Sequence, residues 1–316
     1  MSKQHIAGFI GLGAMGAAIA RRLIGAGTSL HVHDPDPARA DAMARLGAVV
    51  HDSPLAVADV APIVYSCLPD ADVSRTVAFG ENGVARGRAI RVYVEMSTIG
   101  RQALVEITRA LAAHDVQTVD APVSGGPRGA DAGTLSIILA GAPATLDAIR
   151  DQVASMGKHV FDVGAEPGMA QMMKLVNNLI SATNMVSAYE ALVLGAKAGL
   201  DPDQMVDIIN VSTGRNSATV DKVPKAILPG TFDYGASIRT IHKDVSIGLE
   251  EAQALGVPMW LGQSMRQAWA YAITQGGEHQ DFTTLIKYME AWAGVQVRSR
   301  RTPAPAANEA TAGDRT

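Results

Sequence analysis

The sequence predicts an α/β fold in which a doubly wound N-terminal domain is joined by a long helix to an all-α C-terminal domain. Up to about residue 163, short apolar runs rich in β-branched residues alternate with longer Ala- and Leu-rich segments. This alternation is typical of a mostly parallel sheet with helices on both faces. Strand patterns then stop and helical patterns follow. We therefore predict domains over residues 1–164 and 165–297, and a disordered tail over 298–316.

The strands of the first domain are predicted from period-two or fully apolar runs bounded by turn residues. The seven predicted strands cover residues 6–10, 29–33, 61–66, 91–95, 116–120, 135–140 and 158–162. Segments between them, such as 14–26 and 102–113, carry apolar residues at helical spacing.

The helical half is predicted to begin with one long helix over residues 167–198. Pro167 lies near its start, where a missing N–H costs little, and Gly199 follows its end. About thirty residues span ~45 Å, which is longer than a small domain needs, so this helix is expected to link the two domains. Further helices are predicted over 203–211, 243–255 and 261–275. The tail from Arg298 has few apolar residues to bury.

Composition limits the possible functions. The chain has 316 residues, 47% hydrophobic and 18% charged, with a net charge of −4, which gives no electrostatic footprint for nucleic acid. We expect no membrane partner, because no apolar run approaches the ~18 residues of a span, and no signal peptide. The single cysteine, Cys67, cannot form an intramolecular disulfide or a cysteine-based metal site. These features predict a cytoplasmic protein.

A glycine-rich turn follows the first predicted strand and leads into a helix, which is typical of a Rossmann-type dinucleotide site. Glycines there let backbone N–H groups at a helix N-terminus approach a pyrophosphate. Related loops also occur in enzymes that use S-adenosylmethionine, so the motif alone leaves that alternative open. The residues of this turn are Gly11, Leu12, Gly13, Ala14, Met15 and Gly16.

Asp34 ends the second strand about twenty residues beyond these glycines. A carboxylate at this place accepts hydrogen bonds from the ribose of adenosine and repels a 2′-phosphate. Pro35 stands where an arginine would welcome that phosphate, so NAD is favoured over NADP. The alternative interpretation is that Asp34 only begins the turn over residues 34–37.

A second glycine cluster, Ser124, Gly125 and Gly126, follows the strand that ends at Asp120. Consecutive glycines allow backbone N–H groups to approach a small anion, and the Ser124 hydroxyl adds a donor. This cluster is a candidate carboxylate site. Its alternative is a simple turn between two strands.

Lys174 and Asn178 lie one helical turn apart and project from the same face. Apolar neighbours flank Lys174 in the sequence, and desolvation by them is expected to lower the pKa of its amine and make it a usable acid and base. Lysines in helices are more often solvated, which is the competing interpretation. His31, His33 and His242 are joined by no carboxylate or cysteine in a ligand pattern, so no metal is predicted.

These motifs together resemble the β-hydroxyacid dehydrogenases, whose members include 3-hydroxyisobutyrate dehydrogenase, tartronate semialdehyde reductase, semialdehyde reductases and L-threonate dehydrogenase, and whose architecture is like that of 6-phosphogluconate dehydrogenase. The resemblance is carried by four strings in order over most of residues 5–290. They are residues 11–16, residues 120–126 with 129–135, residues 168–178, and Lys243 with Asp244.

The resemblance implies roles for individual residues. Lys174 is implied as the catalytic acid and base, with Asn178 orienting the substrate and Ser124, Gly125 and Gly126 holding its carboxylate. The remaining positions implied by the resemblance are Leu68, Pro69 and Lys243 against the cofactor, Thr98 near both nicotinamide and substrate, Asp244 supporting the site, and a serine-glycine turn at residues 212–215.

One position departs from the family pattern. Many members carry a phenylalanine in the substrate pocket eight residues before the aspartate of the Lys-Asp pair, and here that residue is Ala236. Phe232 and Tyr234 lie nearby in the sequence and are candidates to replace it. Otherwise the pocket is larger and suits a longer or more polar acid.

The resemblance implies an NAD-dependent oxidoreductase that interconverts a small 3-hydroxy acid and its semialdehyde or keto acid. Two alternatives stay open, an imine reductase of the same fold and a non-catalytic NAD(H)-binding sensor. Imine reductases generally place Asp or Tyr where Lys174 stands, which disfavours the first. Apolar faces of the helical substrate and oligomerisation domain predict a homodimer or homotetramer.

Overall fold

A computed structural model describes residues 5–301 of the chain. The first half is built around a six-stranded sheet in which every pair of neighbouring strands is parallel, in the order β3-β2-β1-β4-β5-β6. The strands are β1 (Ile6–Ile10), β2 (Ser29–His33), β3 (Val49–Val50), β4 (Ile63–Ser66), β5 (Val92–Glu95) and β6 (Gln117–Asp120). Five of them match predicted strands to within two residues, and the doubly wound class is confirmed.

Helices follow most of these strands and cover the sheet. The first seven are α1 (Ala14–Gly25), α2 (Pro37–Ala44), α3 (Pro54–Ala58), α4 (Ala71–Phe79), α5 (Arg101–Ala112), α6 (Gly126–Asp131) and α7 (Pro143–Met156), with a short 3₁₀ turn at Val84–Arg86. Three of them, α2, α3 and α4, begin behind a capping residue, namely Asp36, Ser53 and Asp70, whose side-chain oxygen accepts a backbone N–H of the first turn.

Side chains alternate between two apolar clusters on the two faces of the sheet, as a strand period of two requires. Phe9 and Tyr65 lie in one cluster with residues of α1 and α7. The adjacent Ile10 and Val64 lie in the other with residues of α3, α4 and α5. Both clusters are excluded from solvent, so the sheet is buried on both faces.

The strand order reverses between β1 and β4, which are direct neighbours although five elements, α1 to α3 with β2 and β3, separate them in sequence. Their register pairs Ile10 with Ser66, and the register continues from Ser66 to Glu95 and from Glu95 to Asp120. These residues therefore end four adjacent strands at one edge. Ligands of open parallel sheets bind at such carboxyl edges, where the strand order reverses.

The last two predicted strands do not join the large sheet. A second, three-stranded sheet holds β7 (Val123–Ser124), β8 (Leu135–Leu139) and β9 (Gly157–Asp162), with β7 antiparallel to β8 and β8 parallel to β9. Asp120 and Ala140 exchange backbone hydrogen bonds in an antiparallel bridge that continues the β7–β8 pairing, so the chain runs on from β6 into β7 and reverses only between Ser124 and Leu135. The apolar runs were correct as strands, but their alternation with helices did not show this change of sheet.

The second half contains the four predicted helices, observed as α8 (Met169–Lys197), α9 (Pro202–Asn210), α10 (Ile238–Ala254) and α11 (Trp260–Thr274). It also contains elements that were not predicted: α12 (Leu285–Ala293), a π-helix at Ala218–Ile227 and a 3₁₀ turn at Phe282–Thr284. Helix α10 begins five residues before the prediction, because the Ser237 side chain accepts the Thr240 N–H and caps its N-terminus. Lys243 and Asp244 consequently lie within the helix.

Contacts divide the chain into two compact units. The first unit runs up to Thr183 and includes Gly235–Phe282, and the second contains Asn184–Tyr234 and the residues from Thr283 on. Helix α8 passes from the first unit into the second. The predicted boundary between residues 164 and 165 follows the change from strands to helices instead, and it stays a prediction.

Among the described residues, α8 is a helix that is long and apolar enough to cross a membrane by length and composition alone, contrary to our expectation that no run qualifies. The core helix of a globular domain passes the same test. Gln171 of α8 is fully buried and bonded to neighbouring loops, Asn178 is bonded to α10, and 39% of the apolar window of α8 is buried.

Residues 298–301 form hydrogen bonds, although the predicted disordered tail includes them. The buried carboxylate of Asp203 accepts from the Ser299 hydroxyl and the Arg300 N–H, and Arg298 forms an ion pair with Glu290 at 2.7 Å. Asp203 lies 96 residues before Ser299, so composition alone did not reveal that contact. The remainder of the predicted tail, 302–316, lies outside the described residues.

Candidate active site

The glycine turn after β1 is packed so closely that two of its positions admit only glycine. Gly11 has a φ of +89°, and a Cβ there would collide with the carbonyl oxygen of Cys67, which follows β4. A Cβ on Gly16 would collide with the carbonyl oxygen of Gly11. The turn therefore fits tightly against β4 and against the first turn of α1.

Gly13 faces open space, since a Cβ built there has no heavy atom within 4 Å. It is the N-cap of α1 and offers no side-chain cap to the first helical N–H groups, and the first turn of α1 has no acidic residue. Ala14 is exposed beside it, whereas Leu12 is buried and Met15 packs on the core. Free helix N–H groups beside open space fit a phosphate group.

The Asp34 carboxylate closes this turn from the end of β2. One of its oxygens accepts the Leu12 N–H at 2.6 Å, and the other accepts the Asp36 N–H at 2.9 Å. Arg39 lies 3.8 Å from the same carboxylate and 3.2 Å from that of Asp36. Asp34 therefore shapes the local turn, and each of its oxygens keeps a further lone pair, while its role toward a ribose hydroxyl stays a prediction.

The loops after β4 and β5 are joined by a side-chain hydrogen bond. The Leu68 N–H donates to the Ser97 hydroxyl at 2.7 Å, while Pro69 is exposed beside it. Ser97 in turn donates its backbone N–H to the buried carboxylate of Glu95. The predicted cofactor loop at Leu68 and Pro69 and the predicted Thr98 therefore lie on two connected segments.

A connected polar group joins four of the predicted site residues. The Lys243 amine donates to the carbonyl oxygen of Thr98 at 2.7 Å and lies 3.2 Å from Oδ1 of Asp244. Oδ2 of Asp244 accepts from the Asn178 amide at 2.7 Å. Oδ1 of Asp244 is buried, and the Lys243 amine lies beside it as an ion-pair partner without a well-directed hydrogen bond.

Lys174 lies beside this group and is only 8% exposed. Burial lowers the pKa of its amine, the positive charge of Lys243 lowers it further, and Asp244 opposes the shift. Within residues 5–301 the amine forms no hydrogen bond or ion pair. A buried amine with a lowered pKa and no fixed partner can exchange a proton with a bound molecule.

The cause of this burial differs from the one predicted. Four of the apolar neighbours face outward and are 43–59% exposed, namely Met169, Met173, Val176 and Ile180. Near the start of α8, Gln171 and Lys174 face inward together with Ala170 and Leu175, so neighbouring elements desolvate Lys174. Sequence neighbours on a helix point in different directions, and only those three or four residues away share its face.

The second glycine cluster begins a helix. Ser124 ends β7, Gly125 and Gly126 have φ values of +132° and +66°, and α6 starts at Gly126. A Cβ on Gly126 would have no neighbour within 4 Å, so the backbone is open there. The cluster is thus a turn between a strand and a helix, and the alternative of a simple turn between two strands is wrong.

Sequence reasoning missed Gln171, which is fully buried one helical turn before Lys174. Its side-chain oxygen accepts the N–H groups of Ile99 at 2.9 Å and Gly100 at 3.2 Å. Its side-chain nitrogen donates to the Ser97 carbonyl at 3.0 Å and to Oδ1 of Asp120 at 2.9 Å. The only available signal was a polar residue on the same helical face as Lys174.

Two buried carboxylates support this region. Burial, together with the nearby charge of Glu95, raises the pKa of Asp120 to about 7 against the opposing effect of hydrogen bonds from Gln171. Burial also raises the pKa of Glu95, although bonds from Ser97 and Tyr93 favour its ionised form. Both residues end strands and belong to the same network as Gln171.

Ala236 lies just before α10, and its carbonyl accepts the Phe282 N–H at 2.9 Å. Phe232 and Tyr234, the two candidates to replace the phenylalanine of the family pattern, both have partners in the second unit. Phe232 has the Lys287 amine 3.8 Å from its ring centre and Arg298 at 4.6 Å, and the Tyr234 hydroxyl bonds to Asp221. Residues 212–215 form a turn closed by a hydrogen bond from Arg215 to Ser212.

Within the described residues, no group of three or more metal-ligating side chains is present. His31 and His51 share a hydrogen bond at 2.8 Å, and His33 bonds to the His51 carbonyl. These histidines are therefore engaged with each other or with backbone.

Comparison with known proteins agrees with this geometry. A model of the NAD-binding domain of 6-phosphogluconate dehydrogenase matches residues 6–164, and one described as NAD-binding of NADP-dependent 3-hydroxyisobutyrate dehydrogenase matches residues 168–289. The chain is 35% identical over 298 residues to 2-(hydroxymethyl)glutarate dehydrogenase of Eubacterium barkeri, covering 94% of this chain and 99% of that one.

The chain belongs to the β-hydroxyacid dehydrogenase family. Another member, 3-hydroxyisobutyrate dehydrogenase of Pseudomonas aeruginosa, is 32% identical, covering 88% of this chain and 96% of the other. The structure of the Mycobacterium tuberculosis 3-hydroxyisobutyrate dehydrogenase with L-serine superposes with a TM-score of 0.82 at 29% identity, covering 90% of this chain and 99% of that one. The predicted family and enzyme class, an NAD(P)-dependent 3-hydroxyacid dehydrogenase, are confirmed.

The glycine turn gives a testable contrast between cofactor binding and folding. We expect Gly13→Ala to leave the melting temperature within about 2 °C of the parent, because its Cβ meets no atom, while weakening NADH binding at the helix N-terminus. We expect Gly16→Ala to lower the melting temperature clearly, because its Cβ collides with Gly11. Thermal unfolding and NADH fluorescence titration measure both effects, and equal effects of the two substitutions would contradict this assignment.

Proposed function

We propose that the protein interconverts a small 3-hydroxy acid and its semialdehyde or keto acid, with Lys174 as the general acid and base and NAD as the cofactor. The observation that carries the proposal is the buried Lys174 amine, which lies near Asp244 and Lys243 and whose pKa is lowered. Within the described residues this amine forms no hydrogen bond or ion pair. A non-catalytic sensor has no evident need for such an amine.

The residues present fit a dinucleotide. The open backbone at Gly13 and the N-terminus of α1 are assigned to its pyrophosphate, and the carboxylate of Asp34 to the ribose of its adenosine. Leu68, Pro69 and Thr98 are assigned to its nicotinamide side, and Lys243 to a contact from α10. When bound, the nicotinamide ring supplies the hydride acceptor or donor.

Lys174 acts on the substrate oxygen in this proposal. In the oxidation direction the neutral amine accepts the proton of the hydroxyl group, so negative charge does not accumulate on the oxygen. In the reduction direction the Lys174 ammonium donates a proton to the substrate oxygen. Asp244 favours the charged form of Lys174 and burial favours the neutral form, which keeps both forms accessible.

The substrate carboxylate is assigned to the turn formed by Ser124, Gly125 and Gly126. The Gly126 backbone is open to a ligand, and the Ser124 hydroxyl has no hydrogen bond to another described residue. The side-chain amide of Asn178, already held by Asp244, is assigned to orienting the substrate. Together these groups would fix the reacting carbon near the Lys174 amine.

Lys174→Met tests the proposed acid and base. We expect kcat to fall about 10²- to 10⁴-fold, the usual contribution of a positioned general base, while the Kd for NADH changes less than about twofold. In the parent enzyme, oxidation should accelerate as pH rises through the pKa of Lys174, which lies below the ordinary 10.5. The assay follows NADH absorbance with several hydroxy acids.

The matched control is Lys158→Met, which removes an exposed amine from β9 of the same unit. It should leave kcat unchanged. Near-normal turnover in Lys174→Met would remove Lys174 from the reaction, and no activity of the parent on any hydroxy acid or semialdehyde would refute the proposed function itself.

We further propose that the short side chain at Ala236 leaves room for an acid longer than 3-hydroxyisobutyrate. The proposal is supported by the partners of Phe232 and Tyr234, both of which are engaged with residues of the second unit. Ala236→Phe should lower kcat/KM for 2-(hydroxymethyl)glutarate relative to 3-hydroxyisobutyrate. An unchanged ratio of the two kcat/KM values would refute this role for Ala236.

The preference for NAD over NADP is assigned to Asp34. Asp34→Ser removes the charge that repels a 2′-phosphate and frees Arg39 to meet it. We expect the ratio of kcat/KM for NAD to that for NADP to fall at least about tenfold, equivalent to ~1.4 kcal/mol. Asp36→Ala, which also releases Arg39 but keeps Asp34, should retain the preference for NAD. An equal change in both variants would contradict the assignment.

We also propose that the enzyme works in the cytoplasm as a homodimer or homotetramer. Its lone cysteine suits a reducing compartment. Large apolar side chains of the second unit are strongly exposed, including Leu194 at 72% and Val211 at 88%, and such surfaces are usually covered by a partner. Light scattering during size exclusion should give a multiple of 33.0 kDa, and a monomer would refute the oligomer.

A further inference from the structure

We infer that Gln171 is a positioning residue that fixes three segments of the active site relative to Lys174. The inference rests on the proposed function of Lys174 as the acid and base. None of its hydrogen-bond partners is assigned above to the cofactor or to the substrate, so Gln171 would act through the segments that it holds. These partners are Ser97, Ile99, Gly100 and Asp120.

The side-chain amide of Gln171 uses all its hydrogen-bonding capacity on groups around the site. The oxygen accepts two backbone N–H groups, from Ile99 and Gly100, and the nitrogen donates both of its protons, to Ser97 and Asp120. An amide offers two donors and two main acceptor positions, so no capacity is left over. A fully satisfied buried amide holds its partners in one arrangement.

The first segment held in this way is the loop that follows β5. Bonds at Ser97, Ile99 and Gly100 lie on both sides of Thr98, whose carbonyl oxygen receives the Lys243 amine. The Ser97 hydroxyl also receives the Leu68 N–H, so the loop after β4 is attached as well. Gln171 thereby fixes the backbone against which the nicotinamide side of the cofactor is assigned.

The second segment is the end of β6. Asp120 accepts from both the backbone N–H and the side-chain nitrogen of Gln171, each at 2.9 Å, which is a bidentate contact. Four residues later the chain reaches Ser124 and the turn assigned to the substrate carboxylate. The contact between Asp120 and Gln171 thus limits how far that turn can move from α8.

The third segment is the first turn of α8 itself. Gln171 precedes Lys174 by three residues and shares its inward face, so the bonds of Gln171 fix how deeply the Lys174 side chain enters the interior. Burial is the main cause of the lowered pKa of Lys174. If the turn loosened, water would reach the amine and its pKa would rise toward 10.5.

The test compares Gln171→Met with Gln152→Met. Gln152 is a second buried glutamine of the same unit, on α7, and its side chain accepts the Tyr65 hydroxyl at 2.7 Å and bonds to none of the described residues that the Gln171 side chain holds. Both substitutions keep the length of the side chain; Gln152→Met removes that one buried hydrogen bond, and Gln171→Met removes four. A general loss of stability would therefore affect both proteins, whereas a positioning effect would appear only at Gln171.

The primary measurement is the titration of Lys174 itself, which does not require turnover. Acetylation of individual lysines by a trace of acetic anhydride is followed against pH by peptide mass spectrometry. We expect the midpoint for Lys174 to lie below those of exposed lysines in the parent and in Gln152→Met, and to move up toward them in Gln171→Met. An unchanged midpoint in Gln171→Met overturns the proposal, and so does an equal shift in Gln152→Met.

Turnover separates this proposal from the proposed function. We expect kcat of Gln171→Met to fall about 100-fold with less change in KM, since small misplacements of reacting groups have effects of that size. An inactive parent enzyme with a shifted Lys174 midpoint would refute the dehydrogenase function and leave the positioning role intact. An active parent enzyme together with an unshifted Lys174 midpoint in Gln171→Met would support the dehydrogenase function and refute the positioning role.

Gln171→Glu keeps the test informative if the methionine variant does not fold. A neutral carboxyl group at residue 171 can accept from the loop and donate one proton to Asp120, whereas an ionised one can only accept. We therefore expect turnover relative to Gln152→Glu to be greatest at low pH and to fall as pH rises. A constant ratio would overturn the proposal, as would failure of both Gln171 variants to fold when both Gln152 variants fold.

Discussion

The parallel pairing of β1 with β4 is the constraint on which the rest of the structure depends. It places the end of β1 directly beside the end of β4, so that Gly11 lies against the carbonyl oxygen of Cys67. A side chain at Gly11 would force these strand ends apart. The same pairing creates the reversal of strand order at which ligands of parallel sheets bind. The glycine turn and the loops after β4 and β5 are consequently neighbours.

Polar groups at this edge are buried and are kept there by one another. Glu95 and Asp120 end adjacent strands, and desolvation raises the pKa of each. The free-energy cost of burying these two carboxylates is offset by hydrogen bonds from Tyr93, Ser97 and Gln171. Removing one member would leave its partners buried without hydrogen bonds, which generally costs ~1–3 kcal/mol for each group. The network therefore favours a single arrangement of the loops that it joins.

Lys174 differs from these residues because its amine has no fixed partner among the described residues. Asp244, the nearest opposite charge, is already bound by Asn178 and Lys243. Its buried Oδ1 nevertheless accepts no hydrogen bond. A buried ionisable group with a lowered pKa beside a charged partner is typical of sites that exchange protons with a ligand.

The sequence alone determined the features that depend on local chemistry. Strand and helix positions in the first half, the glycine turn at residues 11–16 and the long helix α8 were predicted because periodicity and turn residues act over a few positions. The positions of Lys174, Asn178, Lys243 and Asp244 were marked by family motifs, and the structure brings these four residues together.

Only the tertiary structure decided which side chains meet across long separations. Gln171 bonds to Asp120, 51 positions away, and to the loop at Ser97, 74 positions away, so no local pattern could reveal the pair. Contacts between distant residues also place β8 and β9 in a second sheet and attach residues 299–300 to Asp203, so local patterns did not reveal these features. A helix also has two faces, and which of them turns inward is set by what packs on it, so the polar face of α8 around Lys174 became the buried one.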